Sequence, residues 1–165
     1  MQNVATENEI IRRKVLDTLG IKKLRKHTGM PKAGGQDYLT GKGMLEFDQL
    51  IREGFPVIPG AYLKNTLKLT YLEFAKMLGI SPKTLQRKRK AHERLSIVES
   101  DRLFRIVRIF AVASQVLEDD KVASEWMHRP QQGLGGRVPL EMIQTEAGAR
   151  EVEDLLGRIE HGVLS

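Results

Sequence analysis

The chain has no cysteine among its 165 residues, and this absence removes three kinds of chemistry. It excludes disulfide bonds, thiolate metal sites and a cysteine nucleophile. Aromatic side chains are also scarce, at 5% of the residues. No apolar run reaches the roughly 18 residues that a membrane span needs, and the N-terminus lacks the apolar core of a signal peptide. We therefore expect a soluble protein of the cytoplasm.

Recognisable catalytic motifs are missing as well. There is no G-x-S-x-G elbow and no P-loop, and the glycines between 133 and 136 have neither a preceding strand nor the G-x-G-x-x-G spacing of a phosphate-binding loop. We expect neither an enzyme nor a bound metal or cofactor. The histidines are scattered without metal-site spacing: His27, His92, His128 and His161.

Charge is present in plenty but is unevenly distributed, and the net value of +6 hides this. Residues 1–43 carry nine basic and four acidic side chains, and residues 81–108 carry nine basic and three acidic ones. Residues 109–165 reverse the sign, with five basic and ten acidic side chains. A basic middle followed by an acidic end indicates two functions on one chain, with the basic part a candidate for binding a polyanion.

Apolar residues recur at helical spacing almost throughout, without strand alternation, which predicts an all-α protein. Residues 22–43 look like a flexible basic connector. Two further segments should interrupt the helices: Pro59-Gly60, and residues 129–139, which form the strongest break in the chain. The predicted helices cover residues 8–19, 44–51, 61–68, 71–78, 82–90, 98–117, 119–128, 139–143 and 146–160.

The clearest local signal lies between Tyr71 and Lys90, where a tight turn separates two helical patterns. Gly79 suits the left-handed end of the first helix, because glycine adopts positive φ at no steric cost. Ser81 can cap the second helix. Pro82 suits its first position, where the backbone N–H is unpaired in any case.

Apolar residues beside this turn predict two helices that cross closely. Phe74, Ala75 and Leu78 share one face of the first helix, and Leu85 points back onto it from the second. The small side chain of Ala75 lets the two helices approach. This pattern is typical of a DNA-binding helix-turn-helix, and the alternative is an ordinary helical hairpin with a solvated basic face.

With Leu85 directed inward, the outer arc of the second helix is basic. Arg87 can pair with guanine and Gln86 with adenine, whereas the later basic residues are better placed for phosphates. Lys88 falls where such motifs often carry an apolar residue, so its stem should lie along the core while its ammonium reaches out. The predicted DNA-binding residues are Ser81, Lys83, Thr84, Gln86, Arg87, Lys88, Arg89 and Lys90.

The acidic end carries a second set of spaced residues: Trp126, Pro130, Leu134-Gly135-Gly136, Pro139 and Thr145-Glu146-Ala147-Gly148. These residues resemble the C-terminal pattern Trp…Pro…Leu-Gly-Gly…Pro…Thr-x-x-Gly of the Xre/ParS (MbcA/ParS/Xre) antitoxins. The stretch from Leu95 to Leu103 also looks like that family. The resemblance spans residues 44–165 and leaves residues 1–43 without a counterpart.

The resemblance implies a Cro/Xre-like helix-turn-helix domain followed by a small helical toxin-binding domain. Such a protein neutralises a RES-domain toxin that consumes NAD by covering its active site, and it represses its own operon at operator DNA. The expected divisions are an N-terminal helix with its connector (1–43), a dimerising DNA-binding domain (44–117) and a toxin-binding domain (118–165). Toxin-binding residues implied by the resemblance are Trp126, Pro130, Leu134, Gly135, Gly136, Arg137, Pro139, Thr145, Arg150, Arg158, Glu160, His161, Gly162 and Ser165.

Several of these residues also have purely structural explanations. Trp126 can be a core anchor, Gly135-Gly136 a tight turn or a site of close backbone approach, and Thr145 a helix cap. Gly148 lies inside a predicted helix at a cost of about 1 kcal/mol, so a close-packing reason is expected. The stretch 158–165 is the candidate inhibitory element.

Two alternatives to an antitoxin stay open at this stage. One is a stand-alone repressor whose C-terminal domain senses a ligand or oligomerises, and the other is an adaptor that binds only protein. A homodimer is expected because such regulators read two half-sites. The candidate dimer surface, for which a core-only role is equally possible, consists of Met44, Leu45, Phe47, Leu50, Ile51, Leu63 and Leu67.

Overall fold

The computed structural model describes residues 4–19 and 42–162 of the chain. Within these two ranges the secondary structure is helical and contains no strand, which confirms the predicted all-α class. The helices are α1 (Val4–Thr18), α2 (Lys42–Glu53), α3 (Val57–Thr66), α4 (Tyr71–Leu78), α5 (Pro82–Lys90), α6 (Ile97–Val116), α7 (Asp120–Met127), α8 (Pro139–Met142) and α9 (Glu146–Glu160), with a 3-10 turn at Gln132–Leu134.

Helix α6 is the centre of the fold. It begins with a capping box, in which Ser96 Oγ accepts from the backbone N–H of Glu99 while the Glu99 carboxylate accepts from that of Ser96. Its apolar residues are buried along most of its length, because α1, α2, α4, α7 and α9 all pack against it. One continuous hydrophobic core therefore joins the basic middle of the chain to its acidic end.

The N-terminal helix α1 contributes to this core. Its predicted apolar stripe is confirmed, because Ile11, Val15, Leu16 and Leu19 are all buried. The helix packs on α6 and α3. Lys14 forms an ion pair with Asp120, which ties α1 to the start of α7. Residues 20–41, which include most of the predicted connector 22–43, lie outside the described part of the chain, and the last two residues of that connector belong to α2.

The predicted break at Pro59-Gly60 is wrong, because α3 begins at Val57 and continues through both residues. Pro59 is the third residue of that helix. The first N–H groups of a helix have no partner within it, so a proline in the first turn removes no hydrogen bond. Pro59 would interrupt a helix in its interior, but in the first turn it is compatible with one.

The predicted break at 129–139 is confirmed, because α7 ends at Met127 and α8 begins only at Pro139, and the segment between them folds into an ordered turn. The backbones of Gln131 and Arg137 pair across it, with Gln131 N–H donating to Arg137 O at 3.0 Å. Leu134, at the end of the 3-10 turn, is 3% exposed and belongs to the core. Gly133 lies directly against the side chain of Leu155 on α9. The turn is thereby held onto the last helix.

Most residues of the candidate dimer surface have another use in this fold. Leu45 is exposed and Ile51 is half-buried, whereas the side chain of Met44 lies outside the described part. The remaining four are buried in the core of their own chain, as expected for the core-only alternative: Phe47, Leu50, Leu63 and Leu67.

The last helix has a glycine that the fold requires. Thr145 caps α9 by accepting from the N–H of Gly148 at 3.1 Å, as expected from the sequence. A Cβ atom on Gly148 would collide with the backbone carbonyl of Met142. Gly157, two turns further along the same helix, has open space at the corresponding point.

These two glycines predict opposite effects of the same substitution. Gly148→Ala should lower the free energy of unfolding by about 1–3 kcal/mol, because the backbone of the α8–α9 turn must shift to admit the new atom. Gly157→Ala should raise it by up to about 1 kcal/mol, the usual gain in a helix. Urea unfolding followed by circular dichroism measures both, and equal effects of the two changes would contradict the packing argument.

Candidate nucleic-acid interface and partner surface

The turn between α4 and α5 has the geometry that its residues predict. Gly79 adopts the left-handed conformation with φ of 73°, and its N–H donates to the carbonyl of Lys76. Ser81 Oγ accepts from the N–H of Thr84 at 3.0 Å, and Pro82 is the first residue of α5. Leu85 is 1% exposed, so one face of α5 is fixed against the core.

Arg102 on α6 stabilises this turn. The residue types of the turn itself do not predict this contact. Its Nη1 donates to the carbonyl oxygen of Leu78 at 3.0 Å, at the end of α4. A Cβ atom on Gly79 would overlap the Arg102 guanidinium. Glycine is therefore favoured at position 79 by its positive φ, and a larger residue would also displace the Arg102 guanidinium from the carbonyl of Leu78.

The outer face of α5 is open to solvent. Lys83, Gln86, Arg87 and Lys90 are exposed and line, with Ala91, a shallow depression of about 470 Å³. Ser81 and Arg89 are also exposed, and Thr84 is half-buried. Arg89 lies over the ring of Tyr71, with 5.9 Å between its Cζ and the ring centroid. The structure thus brings most of the predicted DNA-binding residues to one accessible basic surface.

Lys88 departs from the prediction, because its ammonium does not reach out. Its Nζ lies 3.1 Å from the carboxylate of Glu99, and both side chains are only 12% exposed. The same ammonium donates to the carbonyl oxygen of Arg94 at 3.3 Å. A partly buried charge of this kind needs a counterion, and Glu99 provides it from the first turn of α6. Lys88 therefore ties α5 to α6.

This geometry separates the roles of two neighbouring lysines in DNA binding. Lys90→Met should reduce the slope of log affinity against log salt concentration by about 0.9, the value of one phosphate contact. Lys88→Met should leave that slope unchanged and lower the free energy of unfolding by about 1–3 kcal/mol, because Glu99 loses its partner. Titrations of a duplex at several salt concentrations measure the slopes, and an equal reduction in both variants would contradict the assignment.

The predicted toxin-binding residues divide into buried and exposed groups. Leu134 and Pro139 are buried in the core, where they shape the fold, and their role in toxin binding stays a prediction. Trp126 packs against the core and is half-buried. Ser165 lies outside the described residues. The exposed members are Pro130, Gly135, Gly136, Arg137, Thr145, Arg150, Arg158, Glu160, His161 and Gly162.

The exposed members cluster partly around the 131–137 turn. Gly135 and Gly136 have φ of 64° and 77°, and a Cβ on either would meet no other atom within 4 Å. They form a tight turn rather than a site of close packing. Arg137 Nε donates to Leu134 O at 3.0 Å, and Arg158 Nη2 donates to Gly133 O at 3.4 Å. The end of α9 and this turn thus form one surface.

Two arginines of α6 hold the start of α9. Arg105 lies 3.1 Å from the carboxylate of Glu146 and donates to the carbonyl of Gln144. Arg108 lies 3.2 Å from Glu153, close enough for an ion pair although its nitrogens lack well-aligned hydrogen bonds. Burial raises the pKa of the Glu153 carboxyl, and the Arg108 guanidinium opposes that shift.

Two further features, a metal-binding group and a membrane-spanning helix, are absent from the described residues. Across residues 4–19 and 42–162, no group of histidines and carboxylates is arranged to hold a metal ion. In the same ranges, no helix is both long enough and apolar enough to span a membrane.

Comparison with known proteins agrees with this division into two surfaces. Residues 46–108 match the family model of the antitoxin Xre-like helix-turn-helix domain. Residues 113–162 match that of the antitoxin Xre/MbcA/ParS C-terminal toxin-binding domain. Together the matches define a helix-turn-helix DNA-binding protein that carries a toxin-binding domain.

Relatives with a curated name identify the family. Antitoxin Xre of Yersinia enterocolitica is 43% identical over 129 residues, which cover 68% of this chain and 87% of the relative. Antitoxin Xre of Photorhabdus laumondii is 34% identical over 117 residues, covering 70% of this chain and 79% of the relative. A third, from Pseudomonas putida, is also 34% identical. The chain belongs to the Xre antitoxin family, which confirms the resemblance expected from its motifs.

Proposed function

We propose that this antitoxin neutralises a RES-domain toxin that consumes NAD, and that it represses its own operon by binding operator DNA through α5. The observation that carries the proposal is the placement of two candidate surfaces on one core. The basic face of α5 is exposed in the segment that matches the DNA-binding family, and the 131–137 turn with the end of α9 is exposed in the segment that matches the toxin-binding family. Both activities place the protein in the cytoplasm.

The end of α9 is the best candidate for the element that covers the toxin's active site. Ile159 packs against the core, so the helix is anchored up to its last turn. Glu160, His161 and Gly162 are exposed beyond that anchor, and Arg158 is exposed beside them. An exposed helix end whose preceding turn is anchored in the core can enter a cleft in a partner.

Co-expression with the adjacent gene tests the proposed partner. If that gene encodes a RES-type protein, its expression alone should stop growth and lower cellular NAD. Co-expression of the antitoxin should restore growth and yield a complex that survives gel filtration. Binding of the antitoxin to DNA without any effect on the toxin would favour a stand-alone repressor.

Truncation tests the inhibitory element. Removing residues 161–165 should abolish neutralisation and leave DNA affinity within about twofold, because α9 keeps Ile159 and with it its packing against the core. The matched control is Glu118→Ala, a change at an exposed residue of the α6–α7 turn. It should preserve both activities. Full protection of cells by the truncated chain would refute the role of this element.

We further propose that the protein binds DNA as a homodimer on a two-fold operator. Two helix-turn-helix units read half-sites that lie about one helical turn apart, and a symmetric dimer provides that spacing. Mass measurement of the complex with a duplex containing one or two half-sites tests this. A single protomer bound per full operator would contradict it.

A further inference from the structure

An acidic side chain lies beside the exposed face of α5. Glu93 lies just after the helix, and its carboxylate forms an ion pair with Nη1 of Arg87. Arg87 is the residue best suited to pair with guanine, because its planar guanidinium can donate two parallel hydrogen bonds to O6 and N7. The structure therefore shows the candidate base-reading arginine paired with a carboxylate.

Glu93 is fixed in place by the backbone around it. Helix α5 ends in a Schellman motif, in which the N–H of Glu93 donates to Lys88 O at 2.9 Å and that of His92 to Arg89 O. His92 takes the left-handed conformation with φ of 52° that this motif requires. Immediately after Glu93, Arg94 forms a backbone bridge with Pro56. The carboxylate is thus presented to Arg87 from an anchored backbone.

Stability is a poor explanation for this pair. The Arg87 side chain is 60% exposed and that of Glu93 is 37% exposed. Ion pairs with this much access to water contribute little to the free energy of unfolding. A carboxylate beside a DNA-binding face also repels phosphates, so its effect on non-specific affinity is unfavourable. Its value has to come from what it does to Arg87.

We propose that Glu93 is a positioning residue for sequence reading, which holds the Arg87 guanidinium in the orientation that contacts a guanine. The ion pair with Glu93 is made through Nη1, which leaves the edge formed by Nε and Nη2 to donate to O6 and N7. An arginine side chain loses considerable rotamer freedom when it is fixed. The ion pair with Glu93 restricts the Arg87 side chain within the folded protein, so less rotamer freedom is lost on binding. This inference rests on the proposed function of α5 in binding DNA.

The test begins with a duplex selected from a random pool by the wild-type protein. Affinities are then measured for this duplex, for its single-base-pair variants and for a scrambled duplex. The proteins compared are wild type, Glu93→Gln, Arg87→Ala and the double variant. Glu151→Gln, an exposed acid on α9, is the control for the same change in charge.

Glu93→Gln should lower the preference for guanine at the base pair read by Arg87 by roughly tenfold, while binding to the scrambled duplex stays the same or tightens. In the Arg87→Ala background the substitution at position 93 should cause no further loss of preference. The control should behave as wild type. Unweakened binding to the scrambled duplex also shows that the variant is folded.

Three results would overturn the inference. In the first, Glu93→Gln keeps the wild-type preference for guanine. In the second, Glu93→Gln tightens binding to all duplexes equally. In the third, it lowers the preference by the same factor when Arg87 has already been replaced by alanine. In each case the wild type still selects a sequence, so its proposed function stands. A wild type that selects no sequence at all would instead refute the proposed sequence-specific binding, together with this inference.

Discussion

The burial of α6 on several sides is the constraint on which the rest of the structure depends. Five helices pack against its 20 residues, namely α1, α2, α4, α7 and α9, and its buried positions belong to one continuous core. Polar residues of the same helix fix its neighbours: Glu99 holds Lys88 of α5, Arg102 holds the end of α4, and Arg105 holds the start of α9. The orientation of each candidate surface is therefore defined relative to one helix.

Much of the fold could be predicted from the sequence where local chemistry decides it. Gly79, Ser81 and Pro82 each have a single favoured use in a tight turn, so both helices around that turn were predicted with the bounds that they have. The apolar stripe of α1 was equally clear. The predicted helix break at Pro59 is wrong because a proline disrupts a helix only in its interior, whereas Pro59 lies in the first turn of α3.

The candidate sites were harder to predict because they depend on contacts between distant residues. The sequence places the stem of Lys88 along the core, but only the position of Glu99 shows that its ammonium is paired inside the fold. Leu134 belongs to a motif of the family, but its burial shows that it is required for packing. Arg102 and Glu93 carry no local signal, since each acts on a residue that is brought to it by a helix crossing or a helix end.

The position of α6 relative to the two family matches has a further consequence for how this protein can change. One match ends at residue 108 and the other begins at residue 113, so the junction falls inside a single buried helix. Recombination at this point would join two halves of a helix whose faces have to fit partners on both sides. Under the proposed function, a change of partner is therefore easier to reach by exchange of exposed residues on the 131–137 turn and α9 than by replacement of a whole segment.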